Sequence, residues 1–328
     1  MRAVLAGCAC LVLAGCITVT ERNVFRPMGD VREARGTAGL LGDVGGEGAN
    51  TAPITHSHLD TPAGRLALTT FAPDSMDMTY SNRPEYRITG LEGDARPLIL
   101  YCGGTAFDRV RHGLGIMMIL GVMGDAVVWD YPGYGDSEGE PDVASVRAAA
   151  TAMAAYVDAV AGDRRLVLWG HSLGGPVCAD IAAQSEEVDL LVLEATFADP
   201  AAAAKAVVRR FIPFPVRVRV REAVAALDPV APIRDRDLPV LVLGAGSDRV
   251  VPVELQRDLA ERLGANGTVD EASGRPLRAY QEFGPADHEG LLGHPEVFRA
   301  AFDMFGRLGW PSVEVPIGGG TTDQSAQP

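Results

Sequence analysis

The amino-acid sequence predicts an α/β fold, in which a mostly parallel, doubly wound sheet carries helices on both faces. Five apolar runs of strand length alternate with segments that repeat apolar residues every three or four positions. The runs do not alternate with polar residues, which indicates strands buried on both faces, as in a parallel sheet. The chain has 328 residues, 47% of them hydrophobic, so it can bury a sizeable core.

The elements can be placed along the chain from these two patterns. The five strands are expected at residues 97–101, 126–130, 166–169, 190–193 and 240–243, followed by one at 277–283 and preceded by antiparallel strands at 66–71 and 85–89. The helices are expected at residues 146–160, 176–183, 255–263 and 295–308.

Acidic residues dominate the charge balance. The chain carries 43 Asp and Glu against 29 Lys and Arg, a formal net charge of −14. Nucleic acid is therefore excluded as the main partner, because phosphate binding needs a basic surface.

The N-terminus has the pattern of a secretory signal that ends at a lipid-attachment cysteine. Arg2 precedes an apolar run that is too short to span a bilayer, and the run ends in Leu-Ala-Gly-Cys16. This ending resembles the lipobox of bacterial lipoproteins, in which the cysteine is acylated and becomes the mature N-terminus. A similar ending at Cys8 has too few residues before it, so Cys16 is the predicted lipidation site. A plain signal peptide cleaved nearby, or a short buried helix, is the alternative.

This interpretation predicts a signal peptide over residues 1–15, a lipidated Cys16 with a flexible tether over 16–60, and a disordered tail over 311–328. The membrane is then a partner, through the lipid anchor. The protein is expected in the cell envelope, and because Ile17 rather than Asp follows the cysteine, on the periplasmic face of the outer membrane in a host with two membranes. His56 and His58 are expected in a solvated loop, with no third metal ligand nearby.

A candidate nucleophile lies between the third predicted strand and the helix that follows it. The sequence Gly170-His-Ser172-Leu-Gly174 fits the nucleophile-elbow pattern, in which a tight turn lifts the serine hydroxyl out at the carboxyl end of the sheet. The glycines are needed because bulky side chains would collide with neighbouring backbone.

A serine nucleophile needs a base, and the base needs an orienting carboxylate. Asp248 follows the fifth strand in a loop, where its carboxylate could face the serine. His288 and His294 are the two histidines after it. His294 precedes Pro295 and has the position of a helix-entry residue, so His288 is the predicted base.

Acyl transfer also needs donors for the oxyanion. Leu173 follows the nucleophile and can supply one backbone N–H. The second donor is expected in the loop at 102–105, from Gly104, with Thr105 as the alternative.

Six sequences, in this order over residues 95–305, resemble the α/β-hydrolase superfamily, and within it the serine aminopeptidase-like and BEM46-like branch. They are Tyr-Cys-Gly-Gly-Thr, Trp-Asp-Tyr-Pro-Gly-Tyr-Gly-Asp-Ser-Glu-Gly, Gly-His-Ser-Leu-Gly-Gly, Leu-Glu-Ala-Thr-Phe, Gly-Ser-Asp-Arg-Val-Val-Pro and an Asp-His pair. Relatives commonly carry His-Gly where this chain has Cys102-Gly103, which puts the oxyanion loop in doubt.

The resemblance implies an α/β-hydrolase domain over residues 61–310 with a short cap over 199–238. It implies a serine hydrolase that cleaves a carboxylic ester or thioester of a small or lipid-like acyl group, with no metal or organic cofactor. A peptidase or amidase of the same fold, or a catalytically silent envelope binding protein, is the alternative. A group of arginines in the first part of the cap is interpreted either as a solvated surface or as a contact with lipid headgroups or an anionic substrate: Arg209, Arg210, Arg217, Arg219 and Arg221.

Overall fold

The computed structural model describes residues 16–27, 54–80, 83–212, 216–265 and 277–315. The strands of this part of the chain are β1 (Cys16–Val19), β2 (Ile54–Thr61), β3 (Gly64–Phe71), β4 (Met78–Tyr80), β5 (Arg83–Ile88), β6 (Leu98–Cys102), β7 (Asp125–Trp129), β8 (Leu166–His171), β9 (Val188–Glu194), β10 (Arg217–Val220), β11 (Val240–Ala245) and β12 (Arg278–Phe283). The α-helices are α1 (Glu21–Val24), α2 (Gly113–Leu120), α3 (Val143–Ala161), α4 (Gly174–Gln184), α5 (Pro200–Phe211), α6 (Glu222–Ala225), α7 (Val253–Leu263) and α8 (Pro295–Arg307).

Eight strands form one sheet in the order β12-β11-β9-β8-β6-β7-β3-β2. The strands from β12 to β7 pair in parallel, and β3 and β2 add an antiparallel edge. This arrangement, with helices on both faces, is the α/β-hydrolase fold that the sequence predicts. The leading strand expected at 85–89 is β5, which pairs with β4 in a separate hairpin rather than with the main sheet.

The sheet is buried on both faces. Successive residues of β6 supply opposite sides: Leu98 and Leu100 lie in one hydrophobic cluster, and Ile99 and Tyr101 lie in the other. The first cluster includes side chains of α3, α4 and α7, and the second includes those of α2 and α8. Burial on both sides explains why these strands lack an alternating pattern.

Helix α3 illustrates how the helices are specified. Asp142 caps its first turn by accepting a hydrogen bond from the Ser145 N–H at 2.7 Å. Its apolar positions face the sheet and α4, and it ends at Gly162, which has a φ of +57°. By length and composition α3 could cross a membrane, and within the described residues it is the one such helix, but one face of it is buried in the core.

The segment that follows β9 forms the expected short cap, made of α5, β10 and α6. In β10 the arginines are exposed and the valines half-buried, as the alternation of Arg and Val in the sequence suggests. Strand β10 pairs in parallel with β1, from Cys16 opposite Arg217 to Val19 opposite Val220.

This pairing gives the start of the predicted tether a defined place on the domain. Phe25 is 2% exposed and belongs to the first hydrophobic cluster. Glu21 accepts a hydrogen bond from the Val143 N–H, and the Arg26 N–H donates to the Tyr134 hydroxyl. Residues 16–27 therefore pack on the domain instead of forming a free tether, because an apolar side chain and a strand edge are buried there.

Three other predictions fall partly on residues beyond those described. The signal peptide at 1–15, the middle of the tether at 28–53 and the tail from 316 onward lie outside the described residues. His56 and His58 lie in β2 rather than in a loop, paired with the Thr69 and Ala67 of β3. The first residues of the predicted tail pack on the second cluster, where Val315 is buried.

Candidate active site

Ser172 occupies a strained turn between β8 and α4. Its φ is +53°, a left-handed conformation that side chains other than glycine rarely adopt. Neighbouring groups hold it there: the Ser172 N–H donates to the Glu194 carbonyl at 2.9 Å, and the Thr196 hydroxyl donates to the Ser172 carbonyl at 2.6 Å. The turn thus presents the serine side chain at the carboxyl end of the sheet.

The glycines around Ser172 are required by close backbone approach. A Cβ atom at Gly170 would lie 2.5 Å from the Gly174 carbonyl oxygen, and one at Gly174 would overlap the Cys102 carbonyl oxygen. A Cβ at Gly175 would lie 2.5 Å from the Thr196 hydroxyl oxygen. The turn can therefore form only with hydrogen at these positions.

The structure brings together the three side chains that the sequence selects. The Ser172 Oγ lies 3.0 Å from the His288 Nε2, and the His288 Nδ1 lies 2.7 Å from an Asp248 carboxylate oxygen. All three residues are largely buried, with His288 5% exposed. The serine can donate to one ring nitrogen while the other nitrogen donates to the carboxylate, which is the geometry for proton abstraction from the hydroxyl.

The Asp248 carboxylate is held in a fixed orientation by four donors. One oxygen accepts the backbone N–H groups of Val250 and Val251 at 2.7 and 2.9 Å, and the other accepts the Gln256 amide at 2.9 Å as well as the His288 ring N–H. Buried carboxylates need such partners, because an unpaired charge is costly away from water.

His288 is also fixed through its backbone. The His171 Nε2–H donates to the His288 carbonyl oxygen at 2.9 Å, and the two rings lie 4.8 Å apart between centroids. His294 occupies the residue before α8, where its ring lies 6.1 Å from the ring of Phe283. Of the two histidines considered from the sequence, His288 is the one beside Ser172.

The predicted oxyanion donors flank the serine. A Cβ atom at Gly104 would lie 3.5 Å from the Ser172 Cβ, so the loop after β6 passes directly beside the nucleophile. Leu173 begins the turn into α4. Neither the N–H of Leu173 nor that of Gly104 donates a hydrogen bond to another described residue, which leaves both able to donate to a substrate.

Two tyrosines hold the predicted oxyanion loop, residues 102–105, in place through its carbonyl groups. The Tyr131 hydroxyl donates to the Gly103 carbonyl at 2.7 Å, and the Tyr134 hydroxyl donates to the Thr105 carbonyl at 2.8 Å. The remaining carbonyl, that of Gly104, accepts the Phe107 N–H at 3.1 Å. In a trans peptide the N–H points away from the C=O, so fixing these carbonyls also fixes the direction of the N–H groups.

No role for these two tyrosines is predicted from the sequence. They belong to Tyr-Pro-Gly-Tyr, the loop after β7, where the sequence indicates only a turn that ends a strand. The sequence does contain a signal for such a role. Two tyrosines in a turn directly after a buried strand are expected to be buried themselves, and their hydroxyl groups then need hydrogen-bond partners. Burial raises the pKa of both hydroxyls, so they remain protonated donors.

Glu194 is a second residue that sequence reasoning missed. It ends β9, lines the cavity beside Ser172, and is 1% exposed. The Trp169 indole N–H donates to its carboxyl group at 2.6 Å. Burial raises the pKa of this carboxyl, opposed by the nearby His171 ring and the indole hydrogen bond.

Two cavities meet at His288. The larger, about 550 Å³, contains Ser172 in its wall and has a mostly apolar lining that includes Phe107, Ile116 and Ile119. Two acidic residues, Glu194 and Glu289, also line it. The smaller, about 370 Å³, has charged walls that include Arg210, Arg249, Asp287 and Glu289. The arrangement offers an apolar space on one side of the reacting groups and a polar space on the other.

The described residues contain no cluster of three or more His, Cys, Asp or Glu side chains able to hold a metal ion. Cys102 and Cys178 are free, buried thiols. Burial raises the pKa of the Cys178 thiol, and a hydrogen bond with Cys102 adds to the effect.

Comparison with known proteins gives matches to hydrolases. A family model described as serine aminopeptidase, S33, matches residues 124–238, a range that includes Ser172. The lysophosphatidylserine lipase ABHD12 of Danio rerio is 31% identical over 180 residues, 50% of this chain and 47% of that protein. The human protein ABHD12B is 31% identical over 181 residues, 51% of this chain and 50% of that protein. The chain thus spans about half the length of these curated relatives.

Solved structures of low sequence identity share the fold. An esterase of Pyrococcus furiosus, Pf2001, aligns with a TM-score of 0.55 and 13% identity over 80% of this chain and 95% of that one. Est1E of Butyrivibrio proteoclasticus, solved with ferulic acid bound, aligns with a TM-score of 0.54 and 16% identity over 77% of this chain and 99% of that one.

Proposed function

We propose that the chain is a serine hydrolase of the α/β-hydrolase superfamily that cleaves a carboxylic ester or thioester, supported by its fold and by its similarity to hydrolases. The observation that carries the proposal is the contact of Ser172 with His288 at 3.0 Å and of His288 with Asp248 at 2.7 Å. A strained serine in line with a base and a buried acid fits nucleophilic catalysis.

In the proposed reaction the Ser172 oxygen attacks the acyl carbonyl carbon while His288 takes its proton. The tetrahedral intermediate expels the alcohol or thiol, which receives that proton from His288, and leaves the acyl group on Ser172. Water then attacks the acyl-enzyme, again with His288 as the base, and releases the carboxylic acid. Asp248 holds the ring in the tautomer that accepts the serine proton and stabilises the imidazolium.

The negative charge on the carbonyl oxygen is proposed to be stabilised by the backbone N–H groups of Leu173 and Gly104. Their position beside Ser172 supports this role, and removing one such donor typically slows the chemical step by about 10² to 10³. The fixed carbonyls of the loop support Gly104, because they limit the reorganisation that would otherwise accompany the reaction.

We propose that the larger cavity holds the acyl chain and that the smaller holds the alcohol part. Apolar walls suit a hydrocarbon chain, and Arg210 and Arg249 suit a negatively charged group on the alcohol. The similarity to proteins named lysophosphatidylserine lipase supports a single-chain phospholipid ester as one candidate. Rates on p-nitrophenyl esters of graded chain length will measure the acyl preference, with medium or long chains expected to exceed acetate.

Substitution of Ser172 tests the assignment of the nucleophile. Ser172→Ala should abolish labelling by a fluorophosphonate probe and lower ester turnover by about 10³ or more, while the fold is retained. His288→Ala should be nearly as damaging, and the double variant little worse, because the groups act as a unit. His294→Ala is the matched control. Full labelling of Ser172→Ala, or loss of activity in His294→Ala alone, would contradict the proposal.

Two other functions remain to be separated by the same assays. A peptidase or amidase is favoured by the serine aminopeptidase family match, and it would hydrolyse aminoacyl p-nitroanilides faster than esters. A catalytically silent binding protein would show neither labelling nor turnover. An ester is preferred because Phe107, Ile116 and Ile119 give the larger cavity a wall that suits a hydrocarbon chain. Glu194 and Glu289 also line this cavity, and an aminopeptidase would need such acidic groups to bind a free amine, so the p-nitroanilide assay decides between the two.

We further propose that Cys16 carries the lipid anchor and that residues 1–15 are a signal peptide. The support is the Leu-Ala-Gly-Cys ending of the apolar run. Two acyl chains on a glyceryl group suffice for stable anchoring. Metabolic labelling with an alkyne fatty acid, followed by fractionation, should give a labelled envelope protein in the wild type and an unlabelled, released protein in Cys16→Ser. An unlabelled soluble wild-type protein would refute the anchor and leave the hydrolase proposal intact.

A further inference from the structure

We propose that an anionic phospholipid bilayer docks on the surface formed by the outer face of the β1–β10 sheet and the adjoining end of α5. This surface, called the basic face below, consists of Arg209, Phe211, Arg217, Arg219 and Arg221. The proposal goes beyond hydrolysis and does not depend on it.

Strand alternation collects the arginines on one side of the small sheet. Arg217 and Arg219 are exposed, while Val218 and Val220 between and after them are half-buried. The register places Val19, which is 6% exposed, opposite Val220. The valines thus face the domain and the arginines face outward.

The charges on this face lack counter-ions. Within the described part of the chain, no carboxylate forms an ion pair with Arg209, Arg217, Arg219 or Arg221. The chain as a whole has a formal net charge of −14, so this cluster is positive although the protein is negative overall. A surface of anionic headgroups supplies the missing negative charge, and each arginine near it raises the affinity roughly fivefold.

An exposed aromatic ring adjoins the arginines. Phe211, the last residue of α5, is 72% exposed, and the Arg210 guanidinium lies 5.6 Å from its ring centroid. Helix α5 contacts β10, so the ring and the strand belong to one region of the surface. An apolar ring among cations is the combination that binds at the boundary between headgroups and acyl chains.

The position of Cys16 agrees with this orientation. The register pairs Cys16 directly with Arg217, and the chain from there to Phe25 packs on the domain. The backbone of Cys16 therefore lies next to the basic face, and no spacer separates the proposed lipid site from the domain.

Vesicle binding tests the surface separately from acylation. The full chain with Cys16→Ser is mixed with vesicles of phosphatidylcholine alone or with added phosphatidylglycerol, and the bound fraction is measured by cosedimentation. Binding is expected only with phosphatidylglycerol and should weaken as salt is added. Adding Arg217→Gln and Arg219→Gln should weaken it about 30-fold.

The matched control adds Arg65→Gln and Arg307→Gln, which remove the same charge from two exposed arginines outside the basic face. Hydrolysis of a soluble short-chain ester should be unchanged in both double variants, which establishes that they are folded. Equal binding to the two vesicle types, or equal loss in the two double variants, would overturn the proposal. So would a protein dimer that ignores vesicles and dissociates on loss of Arg217 and Arg219, because the occupant would then be a second copy.

Discussion

The peptide group between Gly103 and Gly104 is oriented by one buried hydroxyl. Tyr131 donates to the carbonyl oxygen of this peptide, and an added Cβ atom at Gly104 would lie 3.5 Å from the Ser172 Cβ, so the peptide is close to the proposed nucleophile. The ring of Tyr131 is itself fixed by edge contacts with Trp129 and Tyr134, at centroid distances of 4.8 and 5.5 Å. A rigid donor thus sets the direction of the proposed oxyanion N–H.

Tyr131→Phe should lower kcat about tenfold and leave KM nearly unchanged, because the hydrogen bond acts on the transition-state oxyanion and not on the ground-state substrate. Steady-state kinetics on one p-nitrophenyl ester measures both constants. Tyr280→Phe is the control, since it removes a hydroxyl that donates to Glu282, away from Ser172. A similar fall in kcat in both variants, or a change in KM alone, would show that Tyr131 does not position the loop.

The buried Glu194 carboxyl predicts a pH-dependent stability. Burial raises its pKa in the folded state, so between the ordinary glutamate pKa and the raised value the folded protein binds more protons than the unfolded chain. The contribution of this group to the free energy of unfolding therefore falls as the pH rises through that window. A glutamine at this position does not titrate, so it makes no pH-dependent contribution to the free energy of unfolding.

Urea unfolding of the wild type and Glu194→Gln at a series of pH values measures the effect. The free energy of unfolding of the wild type, relative to that of the variant, should decline from acidic to neutral pH. A difference that stays constant with pH would mean that the carboxyl titrates alike in the folded and unfolded states.

At the scale of elements, the residues of the proposed active site follow the carboxyl ends of strands. Ser172 follows β8, Asp248 follows β11 and His288 follows β12, so the parallel sheet brings residues from distant parts of the chain to one edge. These three residues could be selected from the sequence because each follows a buried strand, and the end of an apolar run marks the end of such a strand. The helper residues could not, because the partners of Tyr131 and Glu194 depend on how separate loops pack.

The N-terminal element was the least predictable from sequence. Residues 16–27 contain no long apolar run, and their place depends on pairing with β10, about 200 residues away. A strand of four residues is too short to show a clear hydrophobic periodicity, so it is difficult to predict from the sequence. Strand β10 has only four residues and pairs with the same distant segment, so it too is difficult to predict.

Phe25→Ala tests whether this element belongs to the domain. The ring is 2% exposed within the first hydrophobic cluster, so its removal should lower the free energy of unfolding by about 3 kcal/mol or more. Arg22→Ala, at an exposed position of α1, should have little effect. Urea unfolding of the Cys16→Ser background gives both values. A negligible change in the free energy of unfolding of Phe25→Ala would mean that residues 16–27 form a free tether and do not pack on the domain.

At the scale of the whole molecule, the proposed active site and the proposed lipid site lie on connected parts of one domain. The Arg26 N–H donates to the Tyr134 hydroxyl, which in turn donates to the oxyanion loop. The segment that begins at the proposed lipid site therefore contacts the loop proposed to stabilise the reaction. If both proposals hold, the packing of residues 16–27 on the domain keeps the active site at a fixed distance from the lipid anchor.

The central claim is that an acyl group passes through Ser172, and trapping the acyl-enzyme tests it most directly. Wild-type protein mixed with a p-nitrophenyl ester should release a burst of p-nitrophenol, and rapid acid quenching should leave one acyl group on the peptide that contains Ser172. Ser172→Ala should show neither the burst nor the added mass. A burst that persists in Ser172→Ala, or an acyl group found on another residue, would contradict the account.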